Sequence, residues 1–259
     1  MTLEVDTPVL SGRIGDYREF RPAAALEGHF QCVWSNTLRT DGGSLTAVVP
    51  DGCVDITWIN GALIVAGPDM AVALFALTPG SIVIGARFRP GAASRWLGLP
   101  MSEIVGDRVA ISHFWGARAR EIAQRIGDAS STPERVRAME AALSRLAPDI
   151  DPPPPDMGFA FNALKTESAG PGMAVILDRL DISPRTLRRR CQDAFGYGPK
   201  MLDRILRFQR FLGMARRSDE PRLAALAFEA GYSDQAHLTR EVRRLSGFSP
   251  ATILRQLVA

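Results

Sequence analysis

The sequence predicts an α+β protein of two domains: a mainly-β barrel or sandwich with two trailing helices, then an all-helical domain. Three observations carry that prediction. Short runs rich in Val, Ile, Thr and aromatic residues crowd the first 115 positions, separated by turn dipeptides. After a run of five prolines within residues 148–156, strand signals vanish and every segment has helical character. The charge is also unevenly divided. Residues 157–259 hold 17 Lys and Arg against 10 Asp and Glu, a balance of +7, while residues 1–156 hold 14 against 18, a balance of −4, which together make the +3 of the whole chain.

In chain order, the strand-like runs are LTAVVP (45–50), VDITWIN (54–60), ALIVAG (62–67), AVALFAL (71–77) and SIVIGARF (81–88). Asp51-Gly52, Asn60-Gly61, Gly67-Pro68 and Pro79-Gly80 part them, as turn residues should. Helices follow near 116–127 and 132–146, the second opened by Ser131 or Thr132 as cap and Pro133 inside its first turn. Its stripe of Val136, Met139, Leu143 and Leu146 packs on its own barrel or on a second copy of the chain. The dimer contact is the reading taken, making a homodimer an expected partner. The domains are thus 1–147, a stiff Pro-rich linker over 148–156, and 157–259.

Composition narrows the function. With 46% hydrophobic and 23% charged residues, the chain can bury real cores. Its longest apolar stretch, residues 70–88, is broken by Pro79-Gly80 and ends beside Arg87, so no membrane span or membrane partner is expected. The start, MTLEVDTPVL, lacks an export signal, and a cytoplasmic location is expected. Three scattered cysteines, Cys32, Cys53 and Cys191, form neither a disulfide framework nor a metal cluster, and each is read as a small buried residue. No GxSxG, HExxH or P-loop occurs, so neither an enzyme nor a cofactor or metal is expected.

The helical half contains an internal repeat. ILDRLDISPRTLRRRCQDAFGYGP (176–199) and LAFEAGYSDQAHLTREVRRLSGFSP (226–250) align Ser183 with Ser233; beyond one inserted residue, Leu187, Arg189, Gly196 and Pro199 align with Leu238, Arg240, Gly247 and Pro250. In the second copy Ala227 and Ala230 keep a helix slim, Gly231 turns the chain in the left-handed region, and Ser233 or Asp234 caps the next helix. Leu238, Val242 and Leu245 point inward. In the first copy Asp181 takes the turn position, Ser183-Pro184 starts the helix, and Leu187 and Cys191 point inward. Each copy is a helix-turn-helix, the unit that lays its second helix in a DNA major groove. Between them residues 199–218 form one helix of about 27 Å, with Leu202, Ile205, Phe208, Leu212 and Ala215 on one face. A rod of that length suits two reading helices spaced by about one turn of DNA, roughly 34 Å.

These tandem units, the joining helix and above all GYSDQAHLTREVRRLSGFSP resemble the AraC-type (AraC/XylS) transcription regulators. The upstream PDGCVDITW (50–58) and GARFRPGAASRWLGLP (85–100) look like a sensor domain found attached to that module. The resemblance implies a sequence-specific regulator whose partner is double-stranded DNA, with RNA polymerase added if it activates, and a cupin-like N-terminal barrel. Carried over by position, the base-facing residues are Arg185, Arg188 and Arg189 in the first unit and Ala236, His237, Thr239 and Arg240 in the second. Arg suits guanine, and Ala or the Thr methyl suits the thymine methyl. Arg190, Lys200, Arg243 and Arg244 are assigned to phosphate. Arg190 departs from the family, where that site is usually apolar.

For the N-terminal domain the resemblance implies a small-molecule effector without naming it. Asp55 and Thr57 share one strand face, Ile56 and Trp58 the other, and Arg87 and Arg89 share one face of a neighbouring run. Arg87 and Arg89 with Asp51 or Asp55 bind an anionic effector or form structural ion pairs. Trp58 lines a pocket or fills the core. A regulator with no effector is the alternative, as is a β-barrel enzyme fused to the DNA-binding module.

Overall fold

The computed structural model describes residues 8–40, 45–166, 172–218 and 222–258. The N-terminal part carries β1 (Val9–Leu10), β2 (Gly15–Phe20), β3 (Phe30–Leu38), β4 (Thr46–Val48), β5 (Asp55–Ile59), β6 (Ala62–Ala66), β7 (Ala73–Phe75), β8 (Ile82–Phe88), α1 (Ala93–Leu97), β9 (Arg108–Ala110), α2 (Ser112–Trp115), α3 (Ala117–Gly127) and α4 (Thr132–Leu146). Six strands form one antiparallel sheet in the order β2-β3-β8-β5-β6-β9, and β1-β4-β7 form a smaller one. The large sheet ends on β2 and β9, so the expected barrel is not closed. All five strand-like runs are strands, and both trailing helices start within a residue of expectation.

One face of the large sheet is apolar. Val33, Ile56, Trp58, Ile84 and Ala86 point there and pack against Ile122 and Ile126 of α3 and Val136, Met139 and Leu143 of α4. The α4 stripe is therefore core, with Met139 and Leu143 fully buried, and the dimer contact expected of it is corrected. The bare apolar face of an open sheet requires cover, and the two trailing helices supply it. Ser131 caps α4, accepting from the Glu134 N–H, with Pro133 in the first turn.

The C-terminal part carries α5 (Pro155–Thr166), α6 (Gly172–Leu180), α7 (Pro184–Phe195), α8 (Pro199–Arg217), α9 (Leu223–Glu229), α10 (Gln235–Ser246) and α11 (Pro250–Val258). Leu202, Ile205, Phe208, Leu212 and Ala215 of α8 are all buried at the centre of this bundle. Its core also takes in Leu10 of β1 and Val49 beside β4, so the two parts share a boundary instead of hanging from a spacer. Ala147–Asp149 make one 3-10 turn, and the last proline of the run, Pro155, is the first residue of α5. The proline run is thus a short crossing between packed domains.

Close contacts at several points make the junction, among them those of Gly52, Gln209 and Gln256. Gly52, at φ +81°, lies where a Cβ would come within 3.1 Å of Phe161 and 3.5 Å of Leu202. Gln209 of α8 donates to the Pro50 carbonyl at 2.6 Å. At the chain ends, the Gln256 side chain of α11 accepts from the Leu10 N–H and donates to the Pro8 carbonyl, both at 2.9 Å, like one rung of a sheet.

Candidate nucleic-acid interface

Each helix-turn-helix is built from local signals. In the first, Asp181 adopts the left-handed region (φ 49°) between α6 and α7, as its short polar side chain permits. Ser183 caps α7, accepting from the Thr186 N–H, and Gly196 (φ 83°) ends it. In the second, Gly231 (φ 88°) makes the turn, and Asp234 caps α10 by accepting from the His237 N–H at 2.7 Å. That bond holds the Asp234 carboxyl below its ordinary pKa. Gly247 ends α10 in the left-handed region, as its repeat partner ends α7.

Burial sorts the side chains. Leu187, Cys191, Leu238, Val242 and Leu245 are buried, while Arg185, Arg188, Arg189, Lys200, Ala236, Arg240, Arg243 and Arg244 are exposed. Among the described residues none of these exposed arginines makes an ion pair. Thr239 is half-buried, its hydroxyl donating to the Gln235 carbonyl at 2.8 Å. His237 is half-buried too. It stands edge-on to Tyr232, 5.3 Å between ring centres, and its Nδ1 lies 3.1 Å from the Ser233 hydroxyl.

Arg190 does not lie with the exposed cations. Its guanidinium turns to the Asp156 carboxylate at 2.5 Å, tying the first reading helix to the start of α5. The phosphate role assigned to it is corrected: the helix phase at 190 points toward α5, where an apolar residue would pack and an Arg needs an acid. Sequence reading also missed the pairs that hold the reading heads. Arg204 of α8 meets Glu241 of α10 through two bonds, at 2.5 and 3.0 Å, and Arg210 caps the end of α9 at the Ala230 carbonyl while also reaching the Leu164 carbonyl. These partners are 20 to 46 positions apart, and nothing local announces them.

The β domain presses on the first unit. A Cβ at Gly196 would lie 2.6 Å from Val105 Cγ2, 2.8 Å from Pro68 Cγ and 3.0 Å from the Met101 carbonyl oxygen. A cleft of about 660 Å³ opens beside this contact, with Arg95, Pro100, Asp156, Arg190 and Asp193 on its walls.

The second face of the large sheet is polar. Register places Cys32, Arg87 and Asp55 side by side, with Trp34, Gly85 and Thr57 as the next row. A Cβ at Gly85 would fall 2.1 Å from the Trp34 ring, so the glycine is what lets the indole lie flat across the sheet. Arg87 grips Asp55 through two bonds of 3.1 Å and reaches Asp51 at 3.2 Å. Burial raises the Asp55 pKa, with Arg87 opposing it; the Arg87 pKa is raised, chiefly by Asp55. Asp51, Asp55 and Arg87 thus form ion pairs with one another on this face. One ligand candidate, Trp58, is corrected outright. Trp58 faces the apolar side, its indole N–H bonded to the Ala123 carbonyl, and Arg89 is exposed and bonded to the Glu27 carbonyl.

Two reading helices with exposed cations on a shared rod define a tandem helix-turn-helix DNA-binding protein. Residues 176–256 match a family model described as a helix-turn-helix domain, and residues 18–110 match one described as a domain of unknown function (DUF6597). The structure of ToxT from Vibrio cholerae O395 has a TM-score of 0.50 at 13% identity, covering 88% of this chain and 98% of that one. ToxT bound to (E)-4-(8-methylnaphthalen-1-yl)but-3-enoic acid gives 0.48 at 12%, covering 87% and 99%, and unsaturated fatty acid bound ToxT from strain SCE256 gives 0.48 at 13%, covering 87% and 94%. No curated protein matches the chain. Residues 176–256 thus carry a helix-turn-helix domain, and the chain shares its two-part fold with ToxT from Vibrio cholerae O395.

Proposed function

We propose that this regulator reads DNA through Arg185, Arg188 and Arg189 of α7 and Ala236, His237, Thr239 and Arg240 of α10. In this reading an anionic small molecule taken up at Arg87 sets how firmly the β domain holds the reading heads. The DNA half is supported by the exposure of Arg185, Arg188, Arg189, Ala236 and Arg240, by the half-exposure of His237 and Thr239, and by the lack of ion pairs to these arginines among the described residues. His237, with Nδ1 engaged by Ser233, keeps Nε2 for a base or phosphate. Arg243, Arg244 and Lys200 flank the two helices as phosphate contacts.

One observation carries the control half. Arg87 holds Asp51, and the Asp51-Gly52 turn is lodged against α5 and α8 of the DNA-binding part. A carboxylate or phosphate on Arg87 competes with Asp51, and a freed turn loosens the junction. The Asn36 Oδ1 atom, buried and without a hydrogen-bond partner among the described residues, supplies a polar group on the same sheet face.

The DNA half is tested by selecting a binding site with the full chain, then measuring affinity across single-base variants. Arg189→Ala and Arg240→Ala should each lose roughly 1–3 kcal/mol on the selected site and relax preference at one position. An even loss over all sequences would assign them to phosphate alone. For the control half, Asp51→Asn should alter affinity for the selected site in the direction an anionic effector does. A full-strength, unaltered response in that variant removes the proposed coupling.

A further inference from the structure

We propose that strand β2 is the self-association surface of this protein, pairing antiparallel with β2 of a second copy so that two six-stranded sheets become one. With the α4 stripe buried, any dimer needs another surface, and β2 is a six-residue edge strand of the large sheet. It forms one end of the large sheet, among the described residues pairs only with β3, and residues 16–20 are all exposed. An exposed strand of six residues is a template for another chain unless short length, proline, a bulge or edge charges guard it. Here neither proline nor a bulge does, the charges of Asp16, Arg18 and Glu19 decide which partner can pair, and Tyr17 and Phe20 are left 42% and 36% exposed.

The sequence of β2 selects the partner. Around a two-fold axis normal to the sheet, directly opposed residues must point to the same face, which restricts the register to those centred on one residue. Centring on Asp16, Arg18 or Glu19 places that charge against its own copy. Centring on Tyr17 sets Tyr17 against Tyr17, Asp16 against Arg18 and Arg18 against Asp16, with Glu19 across from Gly15. Opposite charges in directly opposed positions stabilise a strand pair, and like charges disfavour it. Asp16 and Arg18 already pair within one chain at 2.7 Å, both more than half exposed, so the partners for the exchange stand ready on one face. Tyr17 lies on the other face, its ring 5.6 Å from Trp34, fixed where its copy would meet it. The charge pattern thus specifies a second copy of this chain.

The test uses the full chain and its mass in solution by light scattering over a wide concentration range. The wild type should reach twice the chain mass; Arg18→Asp, which opposes four carboxylates, should stay at the single mass. The exchanged pair, Asp16→Arg with Arg18→Asp, should recover the doubled mass. Tyr17→Cys should cross-link to its own copy under mild oxidation, because opposed Cβ atoms lie about 4.5–5.5 Å apart; Glu19→Cys, opposed by Gly15, should not. If Arg18→Asp fails to fold, the two cysteine variants decide the matter alone. A wild type of single mass at every concentration overturns the proposal. So does a dimer indifferent to Arg18→Asp, or cross-linking equal at 17 and 19.

Discussion

Gly196 and Gly247 occupy the same place in the two repeats, yet the structure predicts that replacing them with alanine has unequal cost. Both end a reading helix in the left-handed region, at φ 83° and 73°. An L side chain there costs about 1–2 kcal/mol, and each alanine bears that equally. Their surroundings differ. At Gly247 the added Cβ meets only Val72, at 3.6 Å, an ordinary contact. At Gly196 it meets two side chains under 3.0 Å and the Met101 carbonyl oxygen at 3.0 Å, and a backbone carbonyl does not swing aside. Overpacking of that kind costs roughly 1–3 kcal/mol. Gly196→Ala should therefore destabilise by about 2–5 kcal/mol, a large share of the roughly 5–15 kcal/mol that holds a domain folded. Gly247→Ala should cost only the backbone share. Urea denaturation of both variants, followed by tryptophan fluorescence, measures the difference. Equal midpoints for the two would refute the idea that the β domain bears on the end of the first reading helix.

Further outcomes follow from the same structure. Met139→Ala should lower stability by about 2–5 kcal/mol, because its side chain is wholly buried under the sheet, and should leave the mass in solution unchanged; loss of a dimer at unchanged stability would return α4 to the surface. Two helix starts should weaken in acid. Hydrogen bonds from the His237 N–H to Asp234 and from Ser130 to Glu134 hold these carboxyls below their ordinary pKa. Such groups stabilise the fold above the ordinary carboxylate range, and that stabilisation is lost as pH falls through their lowered values. Hydrogen exchange at the first turns of α10 and α4 should show it, and Asp234→Asn, which keeps an acceptor without the charge, should abolish the acid effect at α10 alone.

Local chemistry was readable from the residues; long-range contact was not. Turn dipeptides and alternating apolar runs found β4 to β8, and cap residues found α4, α7 and α10, because each such signal acts within a few positions. β2 escaped notice because GDYREF carries three charges, as an edge strand in water can. β3 escaped because both its faces are covered, one by apolar neighbours and one by polar ones, so FQCVWSNTL shows no clean alternation. The candidate reading residues came by position from the family resemblance, and all of them stand exposed or half-exposed, Arg190 included, though it is tied to Asp156. The docking of the domains had no such signal. Gly52 and Gly196 were read as turn and cap residues, which they are, and nothing in the sequence says which neighbour profits from the missing side chain. Prolines 148–155 look the same whether they separate two bodies or cross between them.

The clasp of Gln256 on Pro8 and Leu10 has a consequence for how the molecule is made. Leu10 leaves the ribosome well before its partner Gln256, which lies 246 positions further on. Until α11 has been made, β1 has only part of its final surroundings, so this closure depends on a contact of very long range. Disruption of α11 should therefore be felt at β1, as early exchange of the Leu10 amide and greater susceptibility of residues 8–14 to protease.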